Sequence, residues 1–112
     1  MSEITTHVLD TSLGCPAASV PVMLEAREGA AGWKQLGRGS TDADGRLRDL
    51  APQPLPAGTY RLTFDTRAYF ESRHSASFYP EVAIVFEVRD AGAKYHVPLL
   101  ISPYGYSTYR GS

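Results

Sequence analysis

Apolar and polar residues alternate with a period of two along most of the chain, which is typical of β-strands with one buried face. The alternation is clearest in four segments, at residues 20–27, 60–66, 82–89 and 95–102. In the fourth segment it places Tyr95 and Val97 on one face and His96 and Pro98 on the other. Shorter strands are predicted at residues 6–9, 33–39 and 106–110 and near Leu47.

Turn-forming residues separate these segments and indicate the fold class. Residues 14–16 (Gly-Cys-Pro) are predicted as a turn, and residues 90–92 (Asp-Ala-Gly) as a hairpin turn between the last two long strands. Residues 42–45 (Asp-Ala-Asp-Gly) form a predicted tight turn in which Gly45 takes a positive φ. The helical candidate is residues 66–74, with Thr66 as its cap. About eight strands with frequent turns predict an all-β fold, a two-sheet β-sandwich with one short helix.

Two of the predicted strands carry apolar residues on the face that should meet solvent. Val85 lies opposite the apolar face of its strand, and Leu100 shares a face with His96. An isolated sandwich rarely exposes contiguous apolar surface, so we expect another subunit to cover part of these sheets.

Composition and charge narrow the class of protein. The 112 residues are 43% hydrophobic and 21% charged, as in a globular domain, and we expect one domain over residues 1–112. A net charge of −1 gives no basic patch for nucleic acid, and no apolar stretch is long enough to span a membrane. Cys15 has no second cysteine as a partner. Neither end of the sequence resembles a secretory or peroxisomal signal, so a cytoplasmic location is expected.

Three side chains are the candidates for chemistry. His7 lies on a strand face with Thr5 and is either a surface histidine that bonds a neighbour or a functional base. His96 is flanked by apolar residues and is either paired with a partner or functional. Arg46 follows a tight turn directly, and its planar guanidinium can bind a carboxylate or imide through two hydrogen bonds or form a surface salt bridge.

Two further features bear on the site. Three tyrosines stand within the last nine residues, which indicates a final strand packed against something or a simple edge strand. A catalytic zinc ion usually has three protein ligands, whereas only His7 and His96 are good candidates here. Since an arginine nearby would also oppose a cation, no metal and no other cofactor is expected.

Several motifs together resemble one known family over essentially the whole chain. They are residues 6–10 (Thr-His-Val-Leu-Asp), 14–17 (Gly-Cys-Pro-Ala), 41–46 (Thr-Asp-Ala-Asp-Gly-Arg), 78–82 (Phe-Tyr-Pro-Glu-Val), 95–103 (Tyr-His-Val-Pro-Leu-Leu-Ile-Ser-Pro) and 106–112 (Tyr-Ser-Thr-Tyr-Arg-Gly-Ser). The chain resembles the transthyretin-like family, and its terminal Tyr-Arg-Gly-Ser resembles the hydrolase branch.

The resemblance implies a transthyretin-like (prealbumin-like) sandwich and a homotetramer, a dimer of dimers with active sites in a channel between dimers. It also implies hydrolysis of 5-hydroxyisourate to 2-oxo-4-hydroxy-4-carboxy-5-ureidoimidazoline in urate breakdown, without a cofactor. The alternative is a non-catalytic carrier of small ligands, of the transthyretin kind.

The resemblance also assigns expected roles to individual residues. His7 and His96 would flank a water molecule, one as the base and the other orienting the water or returning the proton. Arg46 would bind ring oxygens and stabilise developing negative charge. Ser112 would supply hydrogen-bonding groups, and the pocket would be shaped by Tyr109, Arg110 and Gly111.

Overall fold

A computed structural model describes residues 3–51 and 55–111. In chain order these residues form β1 (Glu3–Asp10), β2 (Cys15–Pro16), β3 (Pro21–Glu28), β4 (Gly32–Ser40), β5 (Arg46–Leu47), β6 (Gly58–Phe64), α1 (Thr66–Ser72), β7 (Val82–Val88), β8 (Lys94–Ser102) and β9 (Gly105–Thr108). The expected mostly-β architecture with one short helix is therefore confirmed.

The strands form two sheets. One has the order β2-β1-β8-β9, with the short β5 also paired to β1, and the other has the order β4-β3-β6-β7. All pairings are antiparallel except that of β1 with β8, which run parallel. The first and eighth strands are thereby neighbours at the centre of one sheet.

The predicted alternation places the core between the sheets. Leu24 in β3, Leu62 and Phe64 in β6 and Leu99 in β8 are all fully buried. Burial of each such side chain contributes roughly 1.5–3 kcal/mol, so this interior is the main source of stability. In the first part of β8 the residues on either side of His96 face the core, and His96 itself lies half-buried on the other face.

The expected hairpin at residues 90–92 is wrong. β7 pairs with β6 in one sheet, whereas β8 pairs with β1 and β9 in the other, so the connection crosses between sheets. The hydroxyl oxygen of Tyr95 accepts hydrogen bonds from the backbone N–H groups of Arg89 (3.2 Å) and Asp90 (2.9 Å). These bonds satisfy backbone donors at the crossing that a hairpin would have paired with a neighbouring strand.

Smaller corrections concern residues near chain reversals. Cys15 and Pro16, expected in a turn, pair with the end of β1 as the strand β2. The sixth strand ends at Phe64 rather than at residue 66, and α1 is capped by Asp65, whose side chain accepts a hydrogen bond from Ala68 N–H. Thr66, the expected cap, is the first helical residue.

The helix is also shorter than expected. It ends at Ser72 rather than near residue 74. Within the described part of the chain, no helix is long and apolar enough to cross a membrane.

The tight turn before β5 has the predicted form and directs Arg46. Gly45 has a φ of +77°, and its N–H donates to the carbonyl of Asp42 at 2.9 Å. A Cβ atom at Gly45 would stand 2.3 Å from the carbonyl oxygen of Val8, so only glycine fits this approach to β1. The Asp42 carboxylate accepts the N–H of Arg46 at 2.9 Å, which fixes the start of β5 beside β1.

Candidate active site

The register of three strands brings the three candidate side chains onto one face of a sheet. His7 on β1 is opposite Arg46 on β5 and opposite Pro98 on β8, and Thr5 is opposite His96. Thr5 and His7 are half-buried on the face turned away from the core, while the intervening Thr6 is fully buried. Sequence reasoning found His7, Arg46 and His96, and the fold places them as neighbours.

A backbone contact determines the tautomer of His7. Its Nε2 lies 2.9 Å from the carbonyl oxygen of Asp44. A carbonyl oxygen can only accept a hydrogen bond, so Nε2 carries the proton and donates it. In the neutral ring Nδ1 then holds the free lone pair, and this nitrogen can accept a proton.

His96 is held by a hydroxyl group and surrounded by positive charge. The Oγ1 atom of Thr5 lies 2.7 Å from Nδ1 of His96. Burial lowers the pKa of His96 below its ordinary value, and the nearby His7, Arg46 and Arg48 lower it further. The ring is therefore neutral at neutral pH and can accept or donate a hydrogen bond without carrying charge.

An open cavity of about 250 Å³ lies beside these residues. It is lined by Glu3, Thr5, Thr6, Arg46, Arg48, Lys94 and His96. Three cationic side chains face one acidic side chain, and none of the three forms an ion pair with the residues that the structure describes. Such a lining suits a small, oxygen-rich or anionic molecule.

Sequence reasoning missed five residues of this lining: Glu3, Thr5, Thr6, Arg48 and Lys94. Arg48 follows Arg46 by two residues, the spacing that returns a strand residue to the same face. Lys94 precedes His96 by two residues, so the same signal applies to it. The same spacing places Thr5 on the face of His7, but its contact with His96 could not be found in this way because it depends on the pairing of two strands that are distant in sequence.

The end of the chain folds back over β8. Gly111 N–H donates to the carbonyl of His96 at 2.8 Å, and the guanidinium of Arg110 lies 4.6 Å from the ring centre of Tyr95. The side chain of Tyr109 is exposed and, with Arg110, lines a second cavity of about 240 Å³. Of the predicted terminal residues that the structure describes, Gly111 contacts His96. Ser112 lies outside the described residues.

No group of three or more histidine, cysteine, aspartate or glutamate side chains is placed to hold a metal ion in residues 3–51 and 55–111. The cationic lining around His96 also disfavours a cation there.

Comparisons with known proteins agree with this fold. The profile of the HIUase/Transthyretin family matches residues 4–111. The 5-hydroxyisourate hydrolase of Salmonella typhimurium is 47% identical over 110 residues, which cover 97% of this chain and 80% of that protein. The structure of Klebsiella pneumoniae 5-hydroxyisourate hydrolase superposes with a TM-score of 0.88 at 42% identity and full coverage of both chains.

The fold is also similar to that of a transthyretin with a bound ligand. Sea bream transthyretin in complex with thyroxine superposes with a TM-score of 0.90 at 34% identity, covering 96% of this chain and 93% of the other.

Proposed function

The chain belongs to the HIUase/Transthyretin family, and we propose that it hydrolyses 5-hydroxyisourate in urate degradation. The sequence similarity to hydrolases from Salmonella and Klebsiella, at 47% and 42% identity, supports this activity. The observation that carries the proposal is the convergence of His7, Arg46 and His96 on one face of a sheet. Together they supply a proton acceptor, a neutral ring donor and a permanent cation.

The reaction opens a cyclic amide with water. Water adds to the carbonyl carbon, the C–N bond of the ring breaks, and the carboxylic acid that forms loses its proton to solvent to give the carboxylate 2-oxo-4-hydroxy-4-carboxy-5-ureidoimidazoline. Water is a weak nucleophile, and the carbonyl oxygen gains negative charge as the new bond forms. The site must therefore take a proton from water, stabilise the oxyanion and return a proton to the leaving nitrogen.

His7 is the base in this proposal. Its Nε2 donates to the Asp44 carbonyl, so Nδ1 is the nitrogen that takes the proton from water. The protonated ring then gives this proton to the leaving ring nitrogen, which returns His7 to its neutral form. One histidine thus serves as base and acid in turn, and no net proton is gained or lost by the enzyme.

Arg46 and His96 act on the substrate oxygens. Arg46 stabilises the developing oxyanion because its guanidinium keeps its charge throughout. His96 is neutral and donates a hydrogen bond from Nε2, in the manner of a neutral imidazole that polarises a carbonyl group. Neither residue needs to exchange a proton during the reaction.

The C-terminal residues complete the site in our proposal. Gly111 packs against His96, and Arg110 is held by Tyr95. Ser112 supplies hydrogen-bonding groups, and Tyr109 shapes the pocket in the assembled protein.

We propose a homotetramer, a dimer of dimers, in the cytoplasm. Exposed apolar side chains support the assembly, since Val85 is 53% and Phe78 67% exposed in the single chain.

The alternative function is that of a non-catalytic carrier of small ligands. It draws on the similarity to sea bream transthyretin, at 34% identity. The identities to hydrolases are higher, and a carrier needs no base locked in one tautomer. If the protein were a carrier, His7→Ala and His96→Ala would leave ligand binding largely unchanged.

The direct test uses 5-hydroxyisourate generated freshly from urate by a urate oxidase. Its ultraviolet absorbance is followed with and without the protein, because the substrate also opens slowly by itself. We expect rapid decay with the wild-type protein and a loss of 10²–10³-fold, roughly the cost of removing one oxyanion donor, in Arg46→Ala. Arg38→Ala, an exposed arginine on the other sheet, is the matched control. Absence of acceleration by the folded wild-type protein would refute the proposal.

A further inference from the structure

We infer that Thr5 is a positioning residue that fixes the ring of His96 and directs its Nε2–H into the cavity. This inference rests on the proposed function, because it assigns His96 the task of hydrogen-bond donor. The observation behind it is the 2.7 Å contact between Oγ1 of Thr5 and Nδ1 of His96.

The contact is set by the parallel pairing of β1 and β8. Thr5 and His96 are opposite one another in the register, although 91 residues separate them in sequence. Both side chains lie on the face turned away from the core. Threonine is branched at Cβ, which restricts its χ1 rotation and holds the hydroxyl in place on a strand.

The donors and acceptors available at Thr5 favour one direction for its hydrogen bond with His96. A hydroxyl group has one proton to donate. Within the described residues, the hydroxyl of Thr5 has no hydrogen-bond partner other than His96. We assign the hydroxyl as the donor to Nδ1, since this gives its proton a partner within the chain, and Nδ1 is then unprotonated. In the neutral ring the proton must then be on Nε2.

The two histidine rings are thus hydrogen-bonded to different partners, and a different ring nitrogen is left free in each. Nε2 of His7 is held by the Asp44 carbonyl, which leaves Nδ1 to accept. Nδ1 of His96 is held by the Thr5 hydroxyl, which leaves Nε2 to donate. The difference supplies the base and the neutral donor that hydrolysis needs, and it is set by the Asp44 carbonyl and the Thr5 hydroxyl.

Three substitutions separate this role from a merely structural one. Thr5→Val keeps the shape of the side chain and its preference for a strand but removes the hydroxyl. Thr5→Ser keeps the hydroxyl and is the rescue variant. Thr11→Val is the matched control, because it removes a threonine hydroxyl that donates to the Ile101 carbonyl on β8, away from His96.

The readouts are ¹⁵N NMR of the histidine ring and steady-state kinetics on freshly prepared 5-hydroxyisourate. In the wild-type protein we expect a protonated Nε2 and an unprotonated, hydrogen-bonded Nδ1 on His96. In Thr5→Val the Nδ1 resonance should move to the position of an unbonded nitrogen. We expect kcat to fall about 10-fold, less than the 10²-fold that a full misplacement can cost, with KM nearly unchanged. Thr5→Ser and Thr11→Val should resemble the wild type in both measurements.

Two results would overturn the inference: a wild-type His96 protonated on Nδ1, or a folded Thr5→Val variant with wild-type kcat. A wild-type protein that does not hydrolyse 5-hydroxyisourate would refute the proposed function instead. In that case the NMR comparison would still decide whether Thr5 sets the state of the His96 ring.

Discussion

Gly111 lies so close to the ring of His96 that a Cβ atom added to it would stand 2.6 Å from Cδ2. The same Cβ would be 3.3 Å from Cγ of Pro98, so it has no free space on either side. The backbone of Gly111 is tied to β8 by its hydrogen bond to the His96 carbonyl. The terminal segment and the histidine ring are therefore closely packed against one another, and a larger side chain at Gly111 requires one of them to shift.

Gly111→Ala should consequently displace His96 and damage activity more than folding. We expect a loss of kcat on the order of 10²-fold, typical of a misplaced catalytic group. The melting temperature should change little because the residue is at the end of the sheet. Gly105→Ala is the control, since a Cβ there would meet only Ser102 Oγ at 3.6 Å, an ordinary contact. Equal activity of the two variants would mean that the fit at Gly111 is unimportant.

Arg48 should contribute to substrate capture rather than to the chemical step. It lines the cavity with Arg46 and Lys94, and the three cations attract an oxygen-rich or anionic ligand. We expect Arg48→Ala to raise KM severalfold, to leave kcat close to wild type and to weaken the dependence of KM on salt. Arg38→Ala should change none of these. A fall in kcat without a change in KM would instead place Arg48 in the chemical step.

His96 should remain neutral to a lower pH than an ordinary histidine. Its pKa is lowered from 6.5, mainly by burial and further by electrostatic interaction with the neighbouring His7, Arg46 and Arg48. An NMR titration should therefore give a midpoint below 6.5, and removal of a positive neighbour in Arg46→Ala should raise it. The unfolded chain binds this proton more readily than the folded protein does. The free energy of unfolding therefore decreases as the pH falls through the pKa that His96 has in the unfolded chain. A midpoint at or above 6.5 in the wild type would contradict this electrostatic account.

A buried pair under the other end of β1 should stabilise the fold in a pH-dependent way. Tyr69 on the helix donates a hydrogen bond of 2.8 Å to Asp10. Burial tends to raise the pKa of Asp10, but hydrogen bonds from Ser12, Tyr69 and the Leu13 backbone outweigh it and lower the pKa below 3.8. Burial and the Asp10 carboxylate in turn raise the pKa of Tyr69.

Tyr69→Phe should reduce the free energy of unfolding at neutral pH by about 1.5–3 kcal/mol, as for a bond to a charged group. The pKa of Asp10 is lower in the folded protein than in the unfolded chain. The contribution of its carboxylate to stability is therefore complete above the unfolded pKa and is lost as the pH falls through the folded pKa. Urea unfolding at neutral pH and well below pH 3.8 should show the difference between variant and wild type shrinking in acid. Tyr104→Phe, at an exposed position, is the control and should behave as wild type at both pH values.

The alternation of apolar residues was sufficient to predict most strands and their buried faces, because burial of one face is a local property of a strand. It could not indicate which sheet a strand joins. The segments at 82–89 and 95–102 look like a hairpin in sequence, yet β7 and β8 belong to different sheets. That choice depends on the pairing of β8 with β1, which is far away in sequence.

The same distinction holds for the site. His7, Arg46 and His96 could be singled out because their residue types and neighbours are unusual for the positions they occupy. The contacts of Thr5 with His96 and of His7 with the Asp44 carbonyl could not, since they follow from register and from the path of a turn. Sequence therefore singled out the candidate groups, while the fold supplied the atoms that contact their ring nitrogens.

The parallel pairing of β1 with β8 also governs when the protein can become active during its synthesis. A ribosome that adds roughly 5–20 residues each second needs on the order of 5–20 s to make the chain between these two strands. Throughout that time β1 has an unpaired edge, and Thr5 and His7 lack their neighbour on β8. Topologies with such distant pairings also fold more slowly than those with local contacts. The site of the nascent chain is thus incomplete until β8 has been made, and until then one edge of the first strand lacks the partner that it has in the folded protein.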